Sequence, residues 1–144
     1  MANPHDPFFG RTERDWEELE AAGWELLAHP AGLLTTYTDL NKALALTTGQ
    51  PPWDFSNPAD RNAVAHLLGR LSDRSYSECL AAGKEPVMIS ALCTFQNEND
   101  AGDGFYRKAL ELHLITENLY KDRHHRFEWW ARHVAKVQAW LAEC

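Results

Sequence analysis

The sequence has little that marks a catalyst, a metal centre or a membrane protein. Its three cysteines, Cys79, Cys93 and Cys144, are odd in number and show no C-x-x-C spacing, so buried free thiols are expected rather than a disulfide framework or a zinc site. There is no HExxH and no GxSxG, and no apolar run nears the roughly 18 residues that cross a bilayer. The opening "MANPHDPFFG" has neither the basic start nor the apolar stretch of a signal peptide. These absences predict a soluble cytoplasmic chain that works without membrane, metal or cofactor.

Positive charge is scarce in one part of the chain. Residues 1–60 carry ten acids against three bases and residues 61–144 carry eleven of each, so the whole net charge of -7 lies in the first part. Such a field repels polyphosphate, which counts against generic nucleic-acid affinity but leaves room for a local basic face. What is abundant is apolar: 44% of the 144 residues are hydrophobic, six of them Trp. That suffices for one domain with a real core.

After an arm over residues 1–11, "TERDWEELEAAGWELLA" puts Trp16, Leu19, Leu26 and Leu27 on one stripe, with Thr12 and Asp15 at capping-box spacing. The spacing predicts an acidic amphipathic helix over 12–28, ended by Pro30 and Gly32. Thr36 or Thr38 can cap a second helix carrying Leu40, Ala43, Leu44 and Leu46, with Gly49 as its stop. "PPWDFSNP" is a loop, because its prolines lack a donor and clash with a preceding turn, and Trp53 and Phe55 are its anchors. Asn57 as cap and Pro58 in the first position open a third helix with Val64, Leu67, Leu68 and Leu71 buried.

"PVMISALCTF" is rich in β-formers and bounded by "GKEP" and "NEND", which predicts an interior strand over residues 86–95. "NENDAGDG" then reads as a turn, with Asp103 capping a helix that starts near Gly104 and buries Phe105, Ala109, Leu110 and Leu114. Its acids fall short of the twelve-residue calcium loop and its closing Glu. A C-terminal helix over 121–143 follows, with Phe127, Trp130, Val134, Val137 and Leu141 on one face. There His124 and Glu128 meet at four-residue spacing, but His133 lies off their face, so no metal site is expected.

The order helix, loop, helix, strand, glycine-bearing turn, helix over about residues 35–115 resembles the DNA-binding domain of alkylguanine-DNA alkyltransferases and alkyltransferase-like proteins. "TTYTDLNKAL" resembles that family's helix start, "ADRNAVAHLL" its recognition helix, "PVMISALCTF" its Pro-Cys-His segment and "AGDGF" its glycine-rich turn. The resemblance implies an α+β, mostly helical fold with a winged-helix-like core and a small sheet or hairpin, flanked by the N- and C-terminal amphipathic helices. It implies that Tyr37 presses against the backbone of a flipped nucleotide and that Arg61 replaces the base. The chemistry does not carry over: Ser90, Ala91 and Leu92 stand where the family has Pro-Cys-His, and Cys93 falls two positions late.

Two functions follow, neither of them enzymatic. One is a winged-helix-type regulatory module that binds DNA, with the helix over about 58–70 in a groove and Tyr37, Arg61, Arg70 and Arg74 as contacts. The other is an acidic module or inhibitor that docks on a partner protein, including a partner's nucleic-acid site. It would use Glu17, Glu18 and Glu20 on the first helix, or Trp129, Trp140, Arg123 and Arg126 on the last.

Overall fold

The computed structural model describes residues 9–29, 34–94 and 102–143. Its first helix, α1 (Glu13–Ala28), begins at a complete capping box: Asp15 N–H donates to the Thr12 hydroxyl and Thr12 N–H donates to the Asp15 carboxylate. Two donors that the helix leaves unpaired are thereby satisfied. Thr12→Ala should therefore cost about 1 kcal/mol in a thermal melt, the usual worth of such a cap.

A two-residue strand, β1 (Thr35–Thr36), runs straight into α2 (Tyr37–Thr48). Thr36 is the cap of α2, and Gly49 ends it in the left-handed region. α2 buries Leu40 and Leu44, but Leu46, expected on the same stripe, is 87% exposed. Two turns suffice to seat this short helix, and Leu46 falls on its outer side. Asn41 then holds the proline-rich loop, donating to the Trp53 carbonyl at 2.8 Å and accepting the Trp53 N–H at 2.9 Å. So fixed, Trp53 stacks on Trp16 with ring centroids 6.2 Å apart. Arg11 lies over its ring at 5.1 Å.

α3 (Pro58–Ala81) is capped by Asn57 and carries proline in its first turn, as the sequence predicts. It is much longer than a recognition helix over 58–70 requires. Its first half buries Val64, Leu67, Leu68 and Leu71. Against it α1 comes close at Gly23, where a Cβ would stand 3.1 Å from a Leu71 methyl carbon. Its second half turns the small residues Ser72, Ser75 and Cys79 inward, which leaves room for another segment of backbone.

That segment is the one read as a strand, and the reading needs correction. Of the expected strand, Phe95 lies outside the described residues, and residues 86–94 are mostly not a strand: Ile89–Leu92 form a 3-10 turn, and Cys93–Thr94 make the short strand β2, pairing in parallel with β1. Burial was anticipated correctly, since every residue from Val87 to Thr94 is buried. What replaces the sheet ladder is a set of side chains. Ser75 Oγ donates to the Val87 carbonyl at 2.7 Å and accepts the Ile89 N–H at 3.0 Å. His133 Nε2 accepts the Met88 N–H at 2.9 Å, and Trp130 Nε1 donates to the Ala91 carbonyl at 2.9 Å. A buried backbone must find partners, and here side chains from two helices supply them.

The chain closes with α4 (Asp103–Glu111), the short α5 (Glu117–Lys121) and α6 (Arg123–Glu143). Gly102 rather than Asp103 is the cap position of α4. On α6 four of the five expected positions, Trp130, Val134, Val137 and Leu141, are buried, but Phe127 is 38% exposed and the buried stripe is widened by His133 and Trp140. The widening has a cause in packing: Trp140 meets Trp24 of α1 edge-on at 6.0 Å, and His133 reaches the Met88 backbone. Buried side chains of α1, α2, α3, α4 and α6 form one cluster, and Leu119 and Tyr120 of α5 pack against it partly buried. The fold is α+β and mostly helical, with a two-stranded parallel sheet. The arm's first eight residues, residues 97–101 of the expected turn, and Cys144 lie outside the described residues.

Candidate binding groove

Because α3 continues past its contact with α1, part of its surface is left to face α4. Between these walls runs a groove of about 1020 Å³, mostly apolar, lined also by Tyr37, Thr38, Phe55 and Ser90. α3 contributes Arg61, Ala65, Leu68 and Gly69 to it, and α4 contributes Gly104, Phe105 and Lys108. Pockets of this volume and polarity are where proteins take up ligands and partner segments.

Gly69 marks the groove in a second way. It sits in the interior of α3, and a Cβ built on it would meet none of the described residues within 4 Å. Gly23 is explained by its contact with Leu71; no contact in the described fold explains Gly69. Gly104, on the opposite wall, is equally open. A glycine inside a helix forfeits stability relative to alanine, so Gly69→Ala should raise the unfolding free energy by about 1 kcal/mol in urea. A mid-helix glycine is visible in the sequence, but its direction is not.

The charges around the groove are largely spoken for. Arg70 binds Glu13 at 3.1 Å and Glu20 at 3.0 Å, tying α3 to α1. Lys108 binds Asp73 at 2.7 Å and Arg107 binds Asp103 at 2.7 Å. Arg61 differs. Its guanidinium donates to the Phe55 carbonyl at 2.7 Å, and among the described residues no carboxylate lies within ion-pair distance of it. At the groove, the His66 ring meets Trp16 edge-on at 4.7 Å, and its buried Nε2 has no hydrogen-bond partner among the described residues. Burial first, then the nearby Arg70, lowers the His66 pKa.

Of the expected DNA contacts, Tyr37, Arg61 and Arg70 all line this groove, and Arg74 does not. Burial pushes the Tyr37 hydroxyl's pKa up. Arg74 instead covers the Trp24 ring at 3.9 Å and pairs with Glu78. The expected docking residues are scattered. Glu20 is held by Arg70 and Glu18 by Arg14, which leaves Glu17 on the exposed side of α1. Trp140 is buried against Trp24, so it is not available for the docking expected of it, and Trp129 is half-buried, stacked on His133 at 4.6 Å. Arg126 lies over Tyr106 at 4.5 Å and donates to the Tyr120 carbonyl at 3.1 Å, a packing role rather than a free surface charge. Arg123 is exposed at the start of α6.

Nucleophiles and metal ligands are likewise accounted for. Ser90 is buried and hydrogen-bonded to Ser72. Burial pushes the Cys93 thiol's pKa far up, which suppresses the reactive thiolate. His124 pairs with Glu128 at 3.0 Å, the four-residue contact read from the sequence, and His125 with Asp122. No group of three or more metal-ligating side chains occurs among the described residues. Compared with known proteins, the chain matches no protein-family model, no curated protein and no solved structure.

Proposed function

We propose that the chain is a non-catalytic interaction module that docks a partner protein in the groove between α3 and α4. The observation that carries this reading is the mostly apolar groove itself, kept open by Gly69 while the neighbouring cations are held in internal ion pairs. Apolar concavities of this kind receive peptide segments. The face of α3 that bears Arg61, Ala65 and Gly69 is one wall of a concave surface, whereas a helix that reads a DNA major groove has to protrude.

A second reading keeps the DNA-binding, winged-helix-type module, and one observation favours it: Tyr37 and Arg61 open onto the same groove. It asks for phosphate contacts that ion-paired Arg70 and Lys108 do not offer. Its wing would need a hairpin, and the described strands pair in parallel.

Photo-crosslinking separates the readings. With a benzophenone amino acid in place of Ala65, an exposed groove residue, irradiation in the source cell should give a polypeptide adduct. The same group at Glu17 should give none. Adducts at residue 17 alone would put docking on the acidic helix, and nucleic-acid adducts at residue 65 would favour the second reading.

A further inference from the structure

The groove's lining is richer in cations than in carboxylates. It carries four cations, Arg61, Arg70, Arg107 and Lys108, against three carboxylates, in a chain of net charge -7. Three of those cations already have carboxylate partners, and Arg61 has none among the described residues. An arginine fork with no carboxylate, set beside an apolar floor, is completed by a carboxylate brought from outside. Along the walls, Ala65, Gly69 and Gly104 leave space that side chains would otherwise fill, so a polypeptide main chain can come close to both helices. From residue 61 to residue 73, α3 advances about 18 Å at 1.5 Å per residue, the length of five or six extended residues at roughly 3.3 Å each.

Resting on the groove-docking reading above, we infer that the groove takes a short acidic-apolar peptide segment of a partner protein. An Asp or Glu of that segment meets Arg61, and its neighbouring apolar side chains lie on Leu68, Phe55 and Phe105. The acid sets orientation, because a charge-assisted bond at one end fixes which way the segment runs. The apolar contacts supply most of the affinity.

A random hexapeptide phage library, selected on the full chain and counter-selected on Gly69→Trp, tests this. Gly69→Trp fills the groove from a position with free space around its Cβ, and circular dichroism checks that it folds. Selected peptides should carry Asp or Glu beside apolar residues. As free fluorescent peptides they should lose about tenfold in affinity for Arg61→Ala, or when their acid is changed to its amide. An affinity unmoved by both changes, in peptides that Gly69→Trp still excludes, overturns the acidic requirement and leaves groove docking standing. A library with no Gly69→Trp-sensitive peptides overturns both. A fluorescent single-stranded oligonucleotide bound at low salt and released by Arg61→Ala overturns the peptide inference in favour of nucleic acid.

Discussion

Ser75→Ala will lower the unfolding free energy by about 3 kcal/mol, because it orphans two buried backbone groups at roughly 1–3 kcal/mol each. The hydroxyl accepts the Ile89 N–H and donates to the Val87 carbonyl, and the whole site is closed to water. Alanine fits the space, so steric strain does not enter; only the lost partners do. Ser72 O, 3.1 Å away within the same helix, competes for that one hydroxyl proton, and its loss adds little because this carbonyl belongs to the α3 ladder. Urea unfolding at neutral pH measures the effect. A loss below about 1 kcal/mol would mean that the Ser75 hydroxyl is not what holds Val87 and Ile89.

The second large effect is a pH dependence centred on His133. The ring is 4% exposed and its Nε2 accepts the Met88 N–H, so the neutral ring is required and carries its proton on Nδ1. Protonation would turn the acceptor into a donor facing a donor. Burial, with Lys136 nearby, lowers the His133 pKa from the ordinary 6.5 to about 4, and Glu85 opposes this weakly. The unfolded chain therefore takes up the proton first as pH falls. Stability from this residue is complete above pH 6.5, declines as pH falls below it, and is gone once pH passes through about 4. At about 1.4 kcal/mol for each pH unit between the two values, the loss is ~3 kcal/mol.

Carboxylates also weaken the fold near the acid end of that window, so the comparison must be with a variant. In His133→Gln the amide oxygen can still accept the Met88 N–H but has no proton to gain. Its stability between pH 6.5 and 4 should fall by about 3 kcal/mol less than that of the wild type. Parallel stability profiles for the two proteins would show that His133 takes up its proton as readily in the folded chain as in the unfolded one, and so is not held neutral by burial.

The starts of α1, α2 and α3, and the end of α2, were legible because each is set within a few residues. Thr12 with Asp15, Thr36, Gly49 and Asn57 with Pro58 act on the backbone next to them. The stripe of α3 was legible for the same reason, since Val64, Leu67, Leu68 and Leu71 repeat at helical spacing. Residues 86–95 were not. Their β-forming composition signals burial equally well for a strand or for irregular backbone, and the deciding partners are Ser75, Trp130 and His133, which lie 12 to 45 residues away in sequence. Four of the five expected positions on α6 are buried; the burial of Trp140 was not legible, because its contact with Trp24 joins opposite ends of the chain.

The candidate site was legible only in pieces. Tyr37 and Arg61 were singled out through the resemblance, and they do line one groove. Arg70 was read as a free charge, yet its partners Glu13 and Glu20 lie 57 and 50 residues before it. The open wall at Gly69 and Gly104 depends on how α3 and α4 stand across from each other, which no local pattern encodes.

Gel filtration of the tagged chain from its source cell tests groove docking most directly, with wild type and Gly69→Trp run side by side. The account predicts that the wild type elutes in a heavier assembly with its partner. Gly69→Trp, melting no lower than wild type, elutes as the free chain. If both proteins elute in the same assembly, the groove is not where this chain binds.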